Sequence, residues 1–375
     1  MSECFKLSNR KKVGTITFHA AHNYGSNLQA WALQQVLTEL GMQSEIINFR
    51  TGAQKDQYTP LTKRKGLKYI LKNGYFLLNY RTRKAKYLRF EDFIQNHLIK
   101  SDREYSSLEE LMIEPPQYDY YISGSDQIWN TAPNDASDAY FLPFVKEGSR
   151  IAYAPSFGQI GDIDHKDVIK EYLGRYDVLS VREENGQALI KEMLDKDVPI
   201  MPDPTLLLQP EKWEQLTAPR LVVEDYLFFY TLFATKEMID MMKQISAKMG
   251  LPVVISNISN QYEIFSGFRK IRDAGPCEFL SLIKHAKFVC VTSFHGTVFS
   301  ILFHKNFFAI NGMSDKRIST LLKQTNLTEQ AVTKDTLEEK LCKQAPIDYG
   351  EVDKQLRSLR NTGVDFLKKA LELGE

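Results

Sequence analysis

Short runs of β-branched and aromatic residues alternate with helix-patterned segments along most of the chain, and this alternation limits the possible folds more than any other feature. The run Val13-Gly14-Thr15-Ile16-Thr17-Phe18 carries a strand signal. A loop over residues 19–25 follows. Ser26 with Gln29 three positions on fits a capping box, and Ala30, Leu33, Val36, Leu37 and Leu40 continue at helical spacing until Gly41. Residues 45–49 read as the next strand. Parallel neighbours need a crossover and the helix supplies one, so this opening predicts a parallel sheet.

Further strands are predicted at residues 118–123, 150–154, 178–181 and 198–201, with helices over 164–175 and 183–194. Residues 209–223 are polar, contain Pro210 and Pro219, and read as a hinge. The alternation then restarts: strand 226–232, helix 236–249 closed by Gly250, strand 252–256, helix 277–286, strand 288–292, helix 297–303 and strand 307–310. This pattern implies an α/β chain of two doubly wound, Rossmann-like domains, with strand ends facing a shared cleft. The length of 375 residues fits two domains at roughly 150 residues each. The expected spans are an N-terminal domain over 1–215, a C-terminal domain over 216–350, and a Lys- and Leu-rich helix over 351–375 that packs back on the first domain.

Charge and cysteine usage exclude several functions. Lys and Arg number 48 against 47 Asp and Glu, a net charge of +1, so whole-chain basicity offers no argument for nucleic-acid binding. No apolar run reaches the roughly 18 residues that span a bilayer. Residues 1–12 lack the apolar centre of a signal peptide. Cys4, Cys277, Cys290 and Cys342 show no C-x-x-C spacing, which argues against a disulfide framework or zinc site and favours the reducing cytoplasm. No metal-ligand spacing stands out, so no metal is expected.

Four polar constellations sit at predicted strand ends. His19-Ala-Ala-His22-Asn23-Tyr24-Gly25-Ser26-Asn27 hands a strand over to a helix. Helix N-terminal amides bind anions and polar ligands, so the loop is either such a site or a plainly capped turn. Ser123-Gly124-Ser125-Asp126-Gln127-Ile128-Trp129-Asn130 follows a Tyr-rich strand. It reads as a sugar site with Trp129 stacked on the ring, or as a polar turn around a core Trp. In Ser180-Val181-Arg182-Glu183-Glu184-Asn185, Arg182 either grips phosphate or carboxylate through its planar fork or pairs with Glu183 or Glu184. Thr292-Ser293-Phe294-His295-Gly296-Thr297 puts His295 at the start of an apolar helix. That histidine is either structural or placed for proton transfer near neutral pH. The other six histidines read mostly as structural or solvated.

Asn-Tyr-Gly-Ser-Asn-Leu-Gln-Ala, Gly-Ser-Asp-Gln-Ile-Trp-Asn, Ser-Val-Arg-Glu-Glu, Asp-Pro-Thr-Leu-Leu-Leu and Ser-Phe-His-Gly-Thr occur in that order between residues 23 and 297, within a similarity that runs over about 13–325. Together they resemble the polysaccharide pyruvyl transferase family. The resemblance implies a glycosyltransferase-B-like fold, phosphoenolpyruvate as donor co-substrate, no further cofactor, and a glycan or lipid-linked saccharide as acceptor. It implies Arg182 and His295 as catalytic and donor-site residues, with Ser293, Gly296 and Thr297 beside them. Asn23, Gly25, Asn27, Ser125, Asp126, Gln127 and Trp129 are then the expected acceptor site. A sugar-nucleotide glycosyltransferase on the same fold and a non-catalytic glycan-binding protein are the competing readings.

Residues 59–90 match nothing in that pattern. They hold ten basic residues (Lys63, Arg64, Lys65, Lys68, Lys72, Arg81, Arg83, Lys84, Lys86 and Arg89) and no Asp or Glu. One reading is a solvated helical excursion packed on the first domain. The other is a surface that meets an anionic membrane, making a cytoplasmic enzyme peripheral to the inner face.

Overall fold

The computed structural model describes residues 10–60, 77, 79–131, 136–158, 165–256 and 266–373. The chain divides into two compact units. One comprises Met1–Leu77, Glu91–Leu208 and Ser358–Glu375, and the other comprises Leu78–Phe90 and Gln209–Arg357. The division departs from the expected spans in two ways. The second part of the basic segment belongs with the second unit. The stretch expected to be a hinge begins that unit with a helix, Pro210–Leu216. Pro210 starts this helix at a position where a missing N–H costs nothing, and Trp213 is buried against Phe299, ring centres 4.8 Å apart.

In the first unit, β1 (Lys12–Ile16), β2 (Gln43–Ile46), β3 (Tyr120–Ser123) and β4 (Ser149–Ala152) form a parallel sheet in the order β2-β1-β3-β4. Helix α1 (Tyr24–Glu39) is the crossover from β1 to β2. It starts earlier than the capping-box pattern suggests. Asn23 is the N-cap, its Oδ1 accepting from the amides of Gly25 at 2.9 Å and Ser26 at 3.4 Å. Residues 178–181 and 198–201 form no strands. They extend the sheet through single parallel bridges, Ile151 to Val178 and Val181 to Ile200. The core under this sheet includes Phe18, Trp129, Tyr140, Phe141, Phe157 and Tyr176.

In the second unit, β5 (Leu227–Tyr230), β6 (Val253–Ser256), β7 (Arg269–Lys270), β8 (Phe288–Val291), β9 (Phe307–Ile310) and β10 (Ala331–Val332) pair in parallel in the order β10-β9-β8-β5-β6-β7. β5, β6, β8 and β9 are buried along their whole length. Near-continuous apolar strands of this kind mark a parallel sheet covered on both faces. Three more helices matter below: α2 (Tyr80–Asn96), α3 (Phe294–Leu302) and α4 (Tyr349–Ala370). The last thirteen residues of α4, from Ser358 on, belong with the first unit, where Arg360 donates to the Leu208 carbonyl at 3.2 Å. Among the described residues no helix is long and apolar enough to cross a membrane.

Candidate functional site

All strands of a parallel sheet end on one edge, so the loops that follow them gather there. In the first unit this edge brings three of the four constellations together. Thr17, just beyond β1, donates through Oγ1 to the Ser125 carbonyl at 3.1 Å. Gln29 on α1 donates to Thr17 Oγ1 at 2.8 Å and accepts from the Ser125 amide at 3.1 Å. Ser125 Oγ donates to the Ala154 carbonyl at 2.6 Å, beyond β4. Ser26 Oγ donates to Asp126 Oδ2 at 2.5 Å. Gly124 has to be glycine, because its φ is +141° and a Cβ would come within 2.0 Å of the Tyr153 carbonyl oxygen.

Arg182 lies at the centre of this network and is 3% exposed. Its Nη1 donates to Asp203 Oδ2 at 2.7 Å, while Nη2 lies 3.6 Å from Asp126 Oδ1 and Nε lies 3.7 Å from Glu183 Oε2. Asp203 Oδ1 in turn accepts from the Thr205 amide at 3.0 Å and from its hydroxyl at 2.6 Å. Burial opposes the guanidinium charge, but Asp203, Asp126 and Glu183 outweigh it and push the Arg182 pKa up. Within this unit the Arg182 fork is engaged by Asp203, with Asp126 and Glu183 beside it.

The expected acceptor residues divide by accessibility. Trp129 is 1% exposed. It packs against Phe141, Phe157 and Tyr176 at 5.5, 5.2 and 5.7 Å between ring centres, and its Nε1 donates to Ser123 Oγ at 3.1 Å. A core ring of this kind has no face for a sugar, so the stacking reading is corrected. Asn27 is buried and donates to the His19 carbonyl at 2.6 Å, shaping the loop from inside. Gly25, Ser125 and Asp126 are buried as well, while Asn23 and Gln127 keep accessible surface.

A second ionic cluster on this unit went unread in the sequence. Arg50 grips Glu91 through two N–H bonds of 2.9 and 2.5 Å, and His22 Nε2 lies 2.8 Å from Glu91 Oε1. The His22 ring stacks on Tyr58, centres 4.7 Å apart. Burial disfavours the Glu91 charge, yet hydrogen bonds from His22 and Arg50 hold its carboxyl down at about 2. His22 belongs to the first motif, but no local spacing ties it to residues 28 and 69 positions away.

His19 is fully buried, with Nε2 3.3 Å from Asn48 Oδ1, and burial pushes its pKa from 6.5 down to about 4. A proton therefore binds the unfolded chain, but not the native one, between those two values. Stability is full above pH 6.5 and falls as pH drops toward 4, by about 3 kcal/mol at about 1.4 per pH unit. Melting temperature followed over that window should show the loss, and His19→Gln should flatten the slope.

In the second unit the corresponding sheet edge carries the fourth constellation. Ser293 caps α3, its Oγ accepting from the Gly296 amide at 3.0 Å, so the helix begins at Phe294 and not at residue 297. Gly296 sits so close to β8 that a Cβ would lie 2.8 Å from Ser293 Oγ and 2.9 Å from Val291 Cγ1. Thr297 is buried and donates to the Ser293 carbonyl at 3.0 Å. Thr292 Oγ1 donates to Thr231 Oγ1 at 2.9 Å, joining the ends of β8 and β5. His295, 9% exposed, occupies the first turn of α3. There the positive end of the helix dipole favours anions. Among the described residues no group of three or more His, Cys, Asp or Glu side chains is arranged to hold a metal ion.

A family model described as polysaccharide pyruvyl transferase matches residues 23–312. None of the curated proteins matches the chain. Among solved structures, the chain is similar to a putative UDP-N-acetylglucosamine 2-epimerase from Listeria monocytogenes, with 11% identity, 98% of each chain covered and a TM-score of 0.57. It is also similar to S. aureus MnaA in a co-structure with UDP, with 10% identity, 97% of this chain and 98% of that one covered, and a TM-score of 0.54. At such identities the likeness concerns the fold, which is glycosyltransferase-B-like with two parallel-sheet α/β units.

Proposed function

The chain belongs to the polysaccharide pyruvyl transferase family, and from that premise we propose that it moves the pyruvyl group of phosphoenolpyruvate onto a sugar of a polysaccharide or its precursor. The observation that carries this reading is the family match over residues 23–312, which spans all four polar constellations but the first four residues of the earliest. In the reaction a proton adds to the methylene carbon of the enol. One sugar hydroxyl adds to the neighbouring carbon, phosphate leaves, and a second hydroxyl closes the ketal. One hydroxyl proton balances the new methyl group and the other leaves with phosphate. The expected compartment is the cytoplasm.

The donor carries a carboxylate and a phosphate. The first turn of α3, with His295 beside the Ser293 hydroxyl at the positive end of the helix, offers the chemistry that such a donor requires. We assign His295 the proton that reaches the enol carbon, with binding of the donor carboxylate as its other role. Arg182 serves by holding Asp126 and Asp203 in place. Asn23 and Gln127, which keep accessible surface, are the assigned partners of acceptor hydroxyls.

The Listeria monocytogenes neighbour is a putative UDP-N-acetylglucosamine 2-epimerase and S. aureus MnaA is seen with UDP, so transfer from a nucleotide sugar is the rival to test. Purified protein is incubated with a panel of glycans and either phosphoenolpyruvate or nucleotide sugars, and phosphate release and glycan mass are followed. The proposal requires phosphate release that depends on a glycan, with a matching mass gain. Turnover of a nucleotide sugar with phosphoenolpyruvate ignored would replace it by the rival. Glycan binding without turnover of either donor would leave a binding protein.

A further inference from the structure

The segment Tyr80 to Phe90 of α2 reads YRTRKAKYLRF, with five basic residues and no acidic one. In a chain of net charge +1 the rest of the molecule is net negative, so this positive charge is concentrated. Lys63, Arg64, Lys65, Lys68 and Lys72 lie outside the described residues. On the described helix the basic residues do two different things. Arg89 turns onto the body of the second unit: Nη1 donates to the Asp273 carbonyl at 2.7 Å and lies 3.0 Å from its carboxylate, and Nε lies 3.3 Å from Glu278. Phe90 beside it is fully buried.

Arg81, Lys84 and Leu88 are exposed. Their spacing of three and four residues puts them on one face. Tyr80 lies on the same side, its ring centre 6.0 Å from the Lys84 ammonium. Leu88 is 53% exposed, an aliphatic side chain one turn beyond Lys84 and two turns beyond Arg81 and Tyr80. A soluble polyanion would pair the cations but leave that leucine in water. A lipid surface satisfies both: cations meet anionic headgroups, while Leu88 and the tyrosine ring enter the acyl boundary.

We propose that the Tyr80, Arg81, Lys84 and Leu88 face of α2 docks on an anionic lipid surface. This stands independently of the donor chemistry, and suits an acceptor that is carried on a lipid.

The test is co-sedimentation of the full chain with vesicles of phosphatidylcholine alone or mixed with phosphatidylglycerol, at low and high salt. Binding should require phosphatidylglycerol and weaken with salt, as screening shortens the reach of the charges. Arg81→Gln and Lys84→Gln should each lower the partition constant about fivefold, and together about 25-fold. Leu88→Ser should lower it about tenfold through the lost apolar insertion. These are surface changes, and unchanged circular dichroism and melting would show that the fold is kept. Absence of binding to phosphatidylglycerol vesicles at low salt overturns the proposal. So does equal binding to neutral vesicles. Full binding by Leu88→Ser, with displacement by soluble heparin, would assign the face to a soluble polyanion instead.

Discussion

Arg182→Met is expected to destabilise the first unit by about 3–5 kcal/mol, the cost of leaving buried charge uncompensated. The side chain is 2% exposed and bonded to Asp203, with Asp126 and Glu183 close by. Removing the cation takes the guanidinium away from the buried Asp203, Asp126 and Glu183. Arg182→Lys keeps the charge but loses the planar fork, so an intermediate loss is expected. Denaturant unfolding of the two variants measures this directly. The sequence reading of Arg182 as a donor anchor predicts weakened phosphoenolpyruvate binding in Arg182→Lys; the structural role is tested separately, by whether both variants unfold like the wild type. Wild-type unfolding of both would overturn the structural role.

Turnover in His295→Gln is expected to fall about 10²–10⁴-fold, the range for loss of a general acid. Glutamine still donates a hydrogen bond but cannot deliver a proton at neutral pH. If His295 only binds the donor carboxylate, the same variant keeps most of its kcat and the loss falls on KM for phosphoenolpyruvate. Because Ser293 caps α3 from outside the helix and Gly296 makes the close approach to β8, the change at 295 leaves the scaffold in place. Wild-type turnover in His295→Ala would remove the residue from the site.

The fold was readable because parallel sheets advertise themselves. Fully apolar runs such as Phe307–Ile310, and a helix such as Lys236–Met249 closed by Gly250, appear in the sequence as they stand in the structure. Two-residue strands did not, since Arg269–Lys270 and Ala331–Val332 are too short to show a period. Ser26 resembled a cap, but Asn23 had the better geometry and took the role. The site was legible as a set of motifs and much less so as a set of partners. Asp203 stood in a quoted motif, yet its pairing with Arg182 spans 21 positions and depends on tertiary placement. Trp129 shows the same limit: next to Ser125 and Asp126 it looked like a sugar platform, and only the ring contacts of Phe141, Phe157 and Tyr176 reveal a core residue.

The central claim is pyruvyl transfer by protonation of the enol carbon, and the reaction run in deuterium oxide tests it most directly. Glycan product formed from phosphoenolpyruvate is examined by mass spectrometry and proton NMR. The account predicts a ketal whose methyl group carries one solvent deuterium, with one phosphate released for each ketal formed. A product that retains phosphate, a methyl group free of solvent deuterium, or turnover of a nucleotide sugar with phosphoenolpyruvate left intact would contradict it.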